Sequence, residues 1–99
     1  MNQNKNQIYP FKSGAKILFD RGGFEVAYGI SEVCGKIRVG MRYNKSMSGK
    51  DYPVGRNGTP VYFIISEELD VGFLTTLLNG DKNNDMQILD AIKDLVIRG

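Results

Sequence analysis

The segment Lys36-Ile37-Arg38-Val39-Gly40-Met41-Arg42-Tyr43 alternates between basic or glycine positions and apolar ones. Successive side chains of a strand point to opposite faces. Read as a strand, the segment puts Ile37, Val39, Met41 and Tyr43 on the core side. Lys36, Arg38 and Arg42 then share the other face, with Gly40 between them. Like charges aligned on one face repel unless an anion is near, and a strand glycine marks a place where another group approaches the backbone closely. The eight residues therefore predict a sheet and a basic surface on it; a plain solvated outer face is the other reading of the same pattern.

The elements around this strand set the fold class. Residues 15–19 and 24–30 read as two strands joined by the turn-forming Asp20-Arg21-Gly22-Gly23. The second alternates Phe24, Val26, Tyr28 and Ile30 against Glu25, Ala27 and Gly29, the period of a half-buried strand. A turn near Cys34-Gly35 leads into the basic strand. After the polar stretch 44–58, residues 60–65 form the last strand, with Pro60 tolerable at its first position. Ser66 predicts a helix N-cap before Glu67 and Glu68. Leu69, Phe73, Leu74, Leu77 and Leu78 recur at helical spacing until Asn79-Gly80 ends the helix. A second helix is expected from about Asn84, with Gln87 in capping-box position. Its polar positions Gln87, Asp90, Asp94 and Arg98 occupy one narrow side. The remaining apolar arc is broader than one packing partner needs, which points to a homodimer through the C-terminal helices. Strands followed by helices predict an α+β domain: an antiparallel sheet of about four strands, then two C-terminal helices, with one sheet face covered and the other open.

A length of 99 residues bounds the chain to a single domain, read as a mobile tail at 1–10, the sheet over 11–65 and the helical part over 66–98. The single cysteine, Cys34, excludes a disulfide framework and a thiolate metal cluster. The absence of histidine removes Ser-His and Cys-His catalysis and His-ligated zinc. No G-x-G-x-x-G, Walker or acidic-x-Lys nuclease pattern occurs. Gly55-Arg56-Asn57-Gly58 matches the GXXG of KH domains, but that loop joins two helices and here a strand follows. The acidic residues of the helical part read as caps and solubilising charge. The expectation is a protein that is not an enzyme, with no cofactor and no metal. No stretch has the apolar length of a membrane span and the start lacks a signal peptide's hydrophobic region. A cytoplasmic or nucleoid/nuclear location is expected, without secretion.

A net charge of +2 hides a polarity. Residues 1–60 hold ten basic against four acidic side chains, a net +6, while residues 61–99 hold three against seven, a net −4. Such asymmetry points to an anionic partner for the basic part. The 44–58 stretch adds Lys45, Lys50 and Arg56, with Tyr52 among them. Cations interleaved with an aromatic ring suit a single strand of nucleic acid, giving charge for phosphates and a π-face for a base.

The order Gly35-Lys36, a basic-apolar strand, Arg42-Tyr43 and a Lys/Pro/Gly loop ending Gly55-Arg56-Asn57-Gly58 resembles the positive-cofactor-four transcriptional coactivators. The pattern covers about residues 24–80. The resemblance implies a curved four-stranded antiparallel sheet backed by a helix, a dimer, and single-stranded or melted DNA bound across the concave sheet. It places the family's binding cations on Lys36 and Arg42, with its loop cation near Arg56 or Asn57. Departures are visible: Val33 and Lys45 stand where the family has stacking aromatics, one residue is inserted before Gly55, and the strand at 15–19 is not part of the basic family pattern. Stacking here falls instead to Tyr52 or Tyr28.

Together these readings predict a single-stranded nucleic-acid-binding protein, for DNA before RNA, largely independent of sequence and serving replication, recombination or transcription in a cell or a virus. The expected contacts are Lys36, Arg38, Arg42, Lys45, Lys50, Tyr52 and Arg56. The alternative is a small protein-interaction module or inhibitor that turns the basic sheet face to an acidic protein.

Overall fold

The computed structural model describes residues 9–12, 14–43 and 61–98. Four strands, β1 (Lys16–Arg21), β2 (Phe24–Ile30), β3 (Ile37–Tyr43) and β4 (Phe63–Ile64), form one antiparallel sheet in the order β1-β2-β3-β4. Two helices follow, α1 (Asp70–Thr75) and α2 (Lys82–Val96). This is the expected α+β architecture, with a last strand much shorter than the 60–65 read from sequence.

Gly22 and Gly23, both at positive φ, close the β1–β2 hairpin in two residues, the conformation that matches the twist of the strands they join. A bulge between Ile17 and Phe19 breaks the β1 register. It lets Leu18 and Phe19 both pack into the helix-side core, where strict alternation would separate them. That core joins Val26, Tyr28 and Val39 of the sheet to Leu74 and Leu77 around α1 and Ile88, Ala91 and Leu95 of α2.

The helices start differently from the expectation. Ser66 caps a turn, its Oγ accepting from the Glu68 N–H at 3.3 Å, and α1 begins only at Asp70. Asp70 is fully buried and takes Arg98 Nη1 at 2.9 Å, while Arg98 also donates to the Ile37 carbonyl at 3.3 Å. Neither is a solubilising charge: the pair ties the end of α2 to the start of α1 and to β3. The α2 N-cap is Asp81, which accepts from the Asn84 N–H at 2.9 Å, rather than Asn84 itself. Asn84 instead donates from its side chain to the Leu77 carbonyl at 3.1 Å.

The second face of the sheet is not open. Tyr9 bridges Val61 in parallel and Phe11 bridges Ser31 antiparallel. Hydrogen bonds from Lys12 N–H to Ile30 O, Glu32 N–H to Pro10 O and Tyr62 N–H to Tyr9 O, at 2.7 to 2.8 Å, fasten this segment down. Tyr9 and Pro10 thus belong to the fold and not to a tail, while residues 1–8 lie outside the described residues. Phe11 and Tyr62 are buried with Ala27, their rings 6.0 Å apart at 59°.

The physical reason is the small-residue strip Ala27, Gly29 and Gly40. Ala27 and Gly40 are register partners, and together with Gly29 they bring bare backbone to the surface. A Cβ on Gly40 would meet Tyr62 Cβ at 2.8 Å and Phe11 Cζ at 3.2 Å, and one on Gly29 would meet Ala15 Cβ at 2.9 Å. The close approach marked by Gly40 is therefore made by the chain's own rings. Burying one such ring contributes about 1.5–3 kcal/mol.

Gly40→Ala should lower stability by about 1–3 kcal/mol through overpacking, read as a lower denaturant midpoint at unchanged m-value. Gly72→Ala, at a helical site with nothing within 4 Å, should be neutral or stabilising. An unchanged midpoint for Gly40→Ala would contradict the packing.

Candidate nucleic-acid interface

The alternation of β3 places its side chains on the expected faces. Ile37, Val39 and Met41 pack toward the helices, and Arg38, Gly40 and Arg42 lie on the other side. What differs is the surroundings of the cations.

Arg42 is buried, with its side chain 4% exposed. It stands opposite Glu25 in the β2–β3 register, with Nη1 3.6 Å from Glu25 Oε2 and the guanidinium 5.9 Å from the Tyr62 ring centroid. The Tyr62 hydroxyl donates to Glu25 Oε1. Burial first, and then the hydrogen bond to an anionic carboxylate, hold the Tyr62 phenol well above its ordinary range. One carboxylate thus receives a phenol and a guanidinium under the covering segment.

Arg38 is also engaged. Its Nη2 donates to the Ile65 carbonyl at 3.1 Å, its Nη1 approaches Cys34 Sγ at 3.8 Å, and its Nε lies 4.0 Å from Glu67 Oε2. These contacts tie β3 to the segment between β4 and α1. The Cys34 thiol is exposed and held below its ordinary range, chiefly by the Lys36 backbone N–H and further by Arg38 and Ser31.

Lys36 is exposed, as expected of a contact residue. Lys45, Lys50, Tyr52 and Arg56 lie outside the described residues. The three cations of residues 36–43 are therefore not gathered on one open face: Lys36, just before β3, faces solvent, Arg38 is bonded to the chain and Arg42 is internal. Two signals in the sequence point to this. Glu25 falls opposite Arg42 once the β2–β3 hairpin is paired, and a strip of Gly and Ala on an outer face implies something large lying over it.

Tyr28, one of the two rings expected to stack on a base, is 8% exposed. Its hydroxyl donates to Asp94 Oδ2 at 2.9 Å across the gap between β2 and α2. Two shallow cavities of about 240 and 250 Å³ adjoin here, sharing Lys16 and Tyr28 and bounded on the helix side by Asp94 and by Gln87 and Asp90. Their carboxylates make them poor surroundings for a phosphate. Among the described residues, no three His, Cys, Asp or Glu side chains come together to hold a metal ion, and no helix is long and apolar enough to cross a membrane.

The exposed cations of the strand region are Lys12, Lys16, Arg21 and Lys36. Lys12, Lys16 and Lys36 lie toward the sheet end that carries the 31–36 turn. Arg21 lies at the opposite end, in one row with Phe24 and the exposed Tyr43, where the chain leaves β3 for residues 44–60. Sequence reasoning did not select Arg21 or Tyr43, because the pairing that places them together is not local. No protein-family model, curated protein or solved structure matches this chain.

Burial, then the hydrogen bond to Asp94, then the charges of Asp94 and Asp90 push the Tyr28 phenol up to about 12 from 10.0. The folded state keeps this proton between pH 10 and 12 while the unfolded chain releases it. The stabilisation is complete below pH 10 and is lost as pH rises through 12, with Tyr62 acting in the same direction. The denaturant midpoint should accordingly fall across this window, and Tyr28→Phe should flatten the fall. A midpoint constant from pH 9 to pH 12 would contradict it.

Proposed function

We propose that the protein binds single-stranded nucleic acid, DNA in the first instance, largely without regard to sequence. One observation carries the reading: the charge that the strand region turns to solvent is predominantly basic. Lys12, Lys16, Arg21 and Lys36 are exposed against Asp20 and Glu32, while Glu25 is partly buried beside Tyr62 and Arg42. Residues 44–60 add Lys45, Lys50 and Arg56 against Asp51. The helical part is acidic at its surface, with Glu67, Glu68, Asp81 and Asp90 exposed, and it repels a polyanion. Arg21 shares its end of the sheet with Tyr43, where the chain enters the 44–60 segment, and Lys12, Lys16 and Lys36 lie toward the other end. A strand would then follow the Arg21 end and the 44–60 segment rather than the covered sheet face. The resemblance to the positive-cofactor-four family points to the same ligand class but not to the same surface, since Arg42, where one of the family's binding cations falls, is buried. An acidic protein partner remains the competing ligand, but the sheet face it would need is filled by Phe11 and Tyr62 along Gly29 and Gly40.

Phosphate contacts release counterions, so log affinity for an oligonucleotide should fall linearly with log salt, by about 0.7 per contact on a single strand. Replacing Lys45, Lys50 and Arg56 together by Ala should reduce that slope by about 2. Duplex of equal length should compete poorly, since paired bases offer no face for stacking. Arg42→Ala should act mainly on stability, because its partner Glu25 would be left in the fold without it. No binding at low salt, or a slope that ignores the triple substitution, would contradict the reading.

The second part of the proposal is a homodimer through α2. Met86, Leu89 and Val96 share one stripe of this helix with the exposed Lys93, on the side turned away from the buried row of Ile88, Ala91 and Leu95, and are 55, 51 and 66% exposed. Apolar residues grouped on one side of a helix are characteristic of association surfaces. Sedimentation should give twice the chain mass, and Leu89→Lys with Val96→Lys should give a folded monomer. A wild-type monomer at micromolar concentration would remove the dimer.

A further inference from the structure

We propose that Arg21, Phe24 and Tyr43 form a platform on which an unpaired nucleobase stacks. The inference rests on the single-strand reading above and assigns it a base-contact site. The three residues are consecutive register partners on β1, β2 and β3. They therefore lie in one row on one face, spanning two strand spacings of about 4.8 Å each. That face is the helix side: Val39 and Met41 are packed beneath the helices and Phe24 is partly buried against the same core, while Tyr43 is 53% exposed and is the ring the row turns to solvent. At the other end of the row, Arg21 Nη2 reaches Asn84 Oδ1 at 3.5 Å, near the first turn of α2.

The row is braced from within. The Phe19 and Phe24 rings stack at 5.1 Å between centroids and 30° between planes. The Arg21 guanidinium lies 4.6 Å from the Phe19 ring centroid, a cation–π contact that holds a long side chain in one place. The row thus offers an exposed aromatic face at Tyr43 and a positioned cation at Arg21, on a rigid sheet rather than a loop. A base stacking on Tyr43 lies two strand spacings from Arg21, the cation at the other end of the row. Two carboxylates lie near this end: Asp81 accepts from the Asn84 N–H, and Asp85 accepts from the Asn79 and Gly80 N–H groups. The hydrogen bonds fix them in place without removing their charge, so the platform holds a strand by its stacked base rather than by its phosphate. Those bonds, the Asn79 N–H first, hold the Asp85 carboxyl below its usual range. Asp20 belongs to the opposite face, in register with Glu25. Beyond Tyr43 the chain continues into the segment that carries Lys45, Lys50 and Arg56, so the stacked base would sit where the proposed phosphate track begins.

The test compares oligo-dT with an abasic strand of the same length, which keeps the phosphates and removes the bases. Wild type should bind the dT strand more tightly. Tyr43→Ala should weaken dT binding by about 5- to 100-fold, the range for losing one stacking contact, and leave abasic binding unchanged. Tyr43→Phe should restore dT binding and Tyr43→Leu should not, separating a π-face from mere bulk. If wild type prefers dT but Tyr43→Ala binds it equally well, the platform is overturned while the single-strand reading stands. If wild type binds neither strand at low salt, the reading itself fails and the platform with it.

Discussion

Phe11 lies against the bare backbone at Gly29 and Gly40, with Tyr62 beside it, and this contact decides what the remaining surface of the protein does. A sheet in a chain of this size has one face for its helices and another that must be either solvated or covered. Here the second face carries Ala27, Gly29 and Gly40 on adjacent strands. That leaves a shallow floor of backbone which gains little by meeting water and much by meeting a ring. Residues 9–12 supply the ring and pair with Val61 and Ser31 to hold it in place. The two ends of the chain's sheet region are thereby joined through a packed interior on both sides of the sheet.

The covering segment reorders the electrostatics. Once Tyr62 lies over the sheet, Arg42 is inside, and a buried guanidinium needs an anion and further hydrogen-bond partners to be tolerable. Glu25, its cross-strand neighbour, supplies the charge, and the Tyr62 hydroxyl takes the other carboxylate oxygen. On the helix side Asp70 and Arg98 make a comparable arrangement between α1, α2 and β3. Each pair takes one positive and one negative charge inward, so the outward field of the strand region is set by Lys12, Lys16, Arg21 and Lys36 against Asp20 and Glu32, and that of the helical part by its exposed carboxylates. The proposed nucleic-acid contact accordingly moves from the middle of the sheet to its end.

Most of the architecture was legible in the residues. The period-two alternation in 24–30 and 36–43 and the helical spacing in 84–96 identify elements through local geometry, and the structure reproduces them within a few residues. The faces of β3 were legible for the same reason. The state of those faces was not, since burial depends on which distant segment lies across them. Phe11 sits some thirty residues from Gly40, and no local pattern announces that contact. Asp70 and Arg98 are a like case: each has an ordinary solvent-facing reading at a helix end, and only tertiary packing brings them within 2.9 Å. The shift from Asn84 to Asp81 as the cap is smaller in kind, because Asp81 and Asn84 are both good cap residues three positions apart and the side-chain bond chooses between them.

The central claim is that the sheet face is closed by the chain's own rings and that a single strand meets the protein at the sheet end. Mapping backbone amide chemical shifts by NMR during titration with a short oligo-dT tests it most directly. The account predicts the largest changes at Arg21, Phe24 and Tyr43 and within 44–60, with Ala27, Gly29 and Gly40 scarcely moved. Changes centred on Gly29 and Gly40, with Arg21 and Tyr43 unaffected, would contradict it.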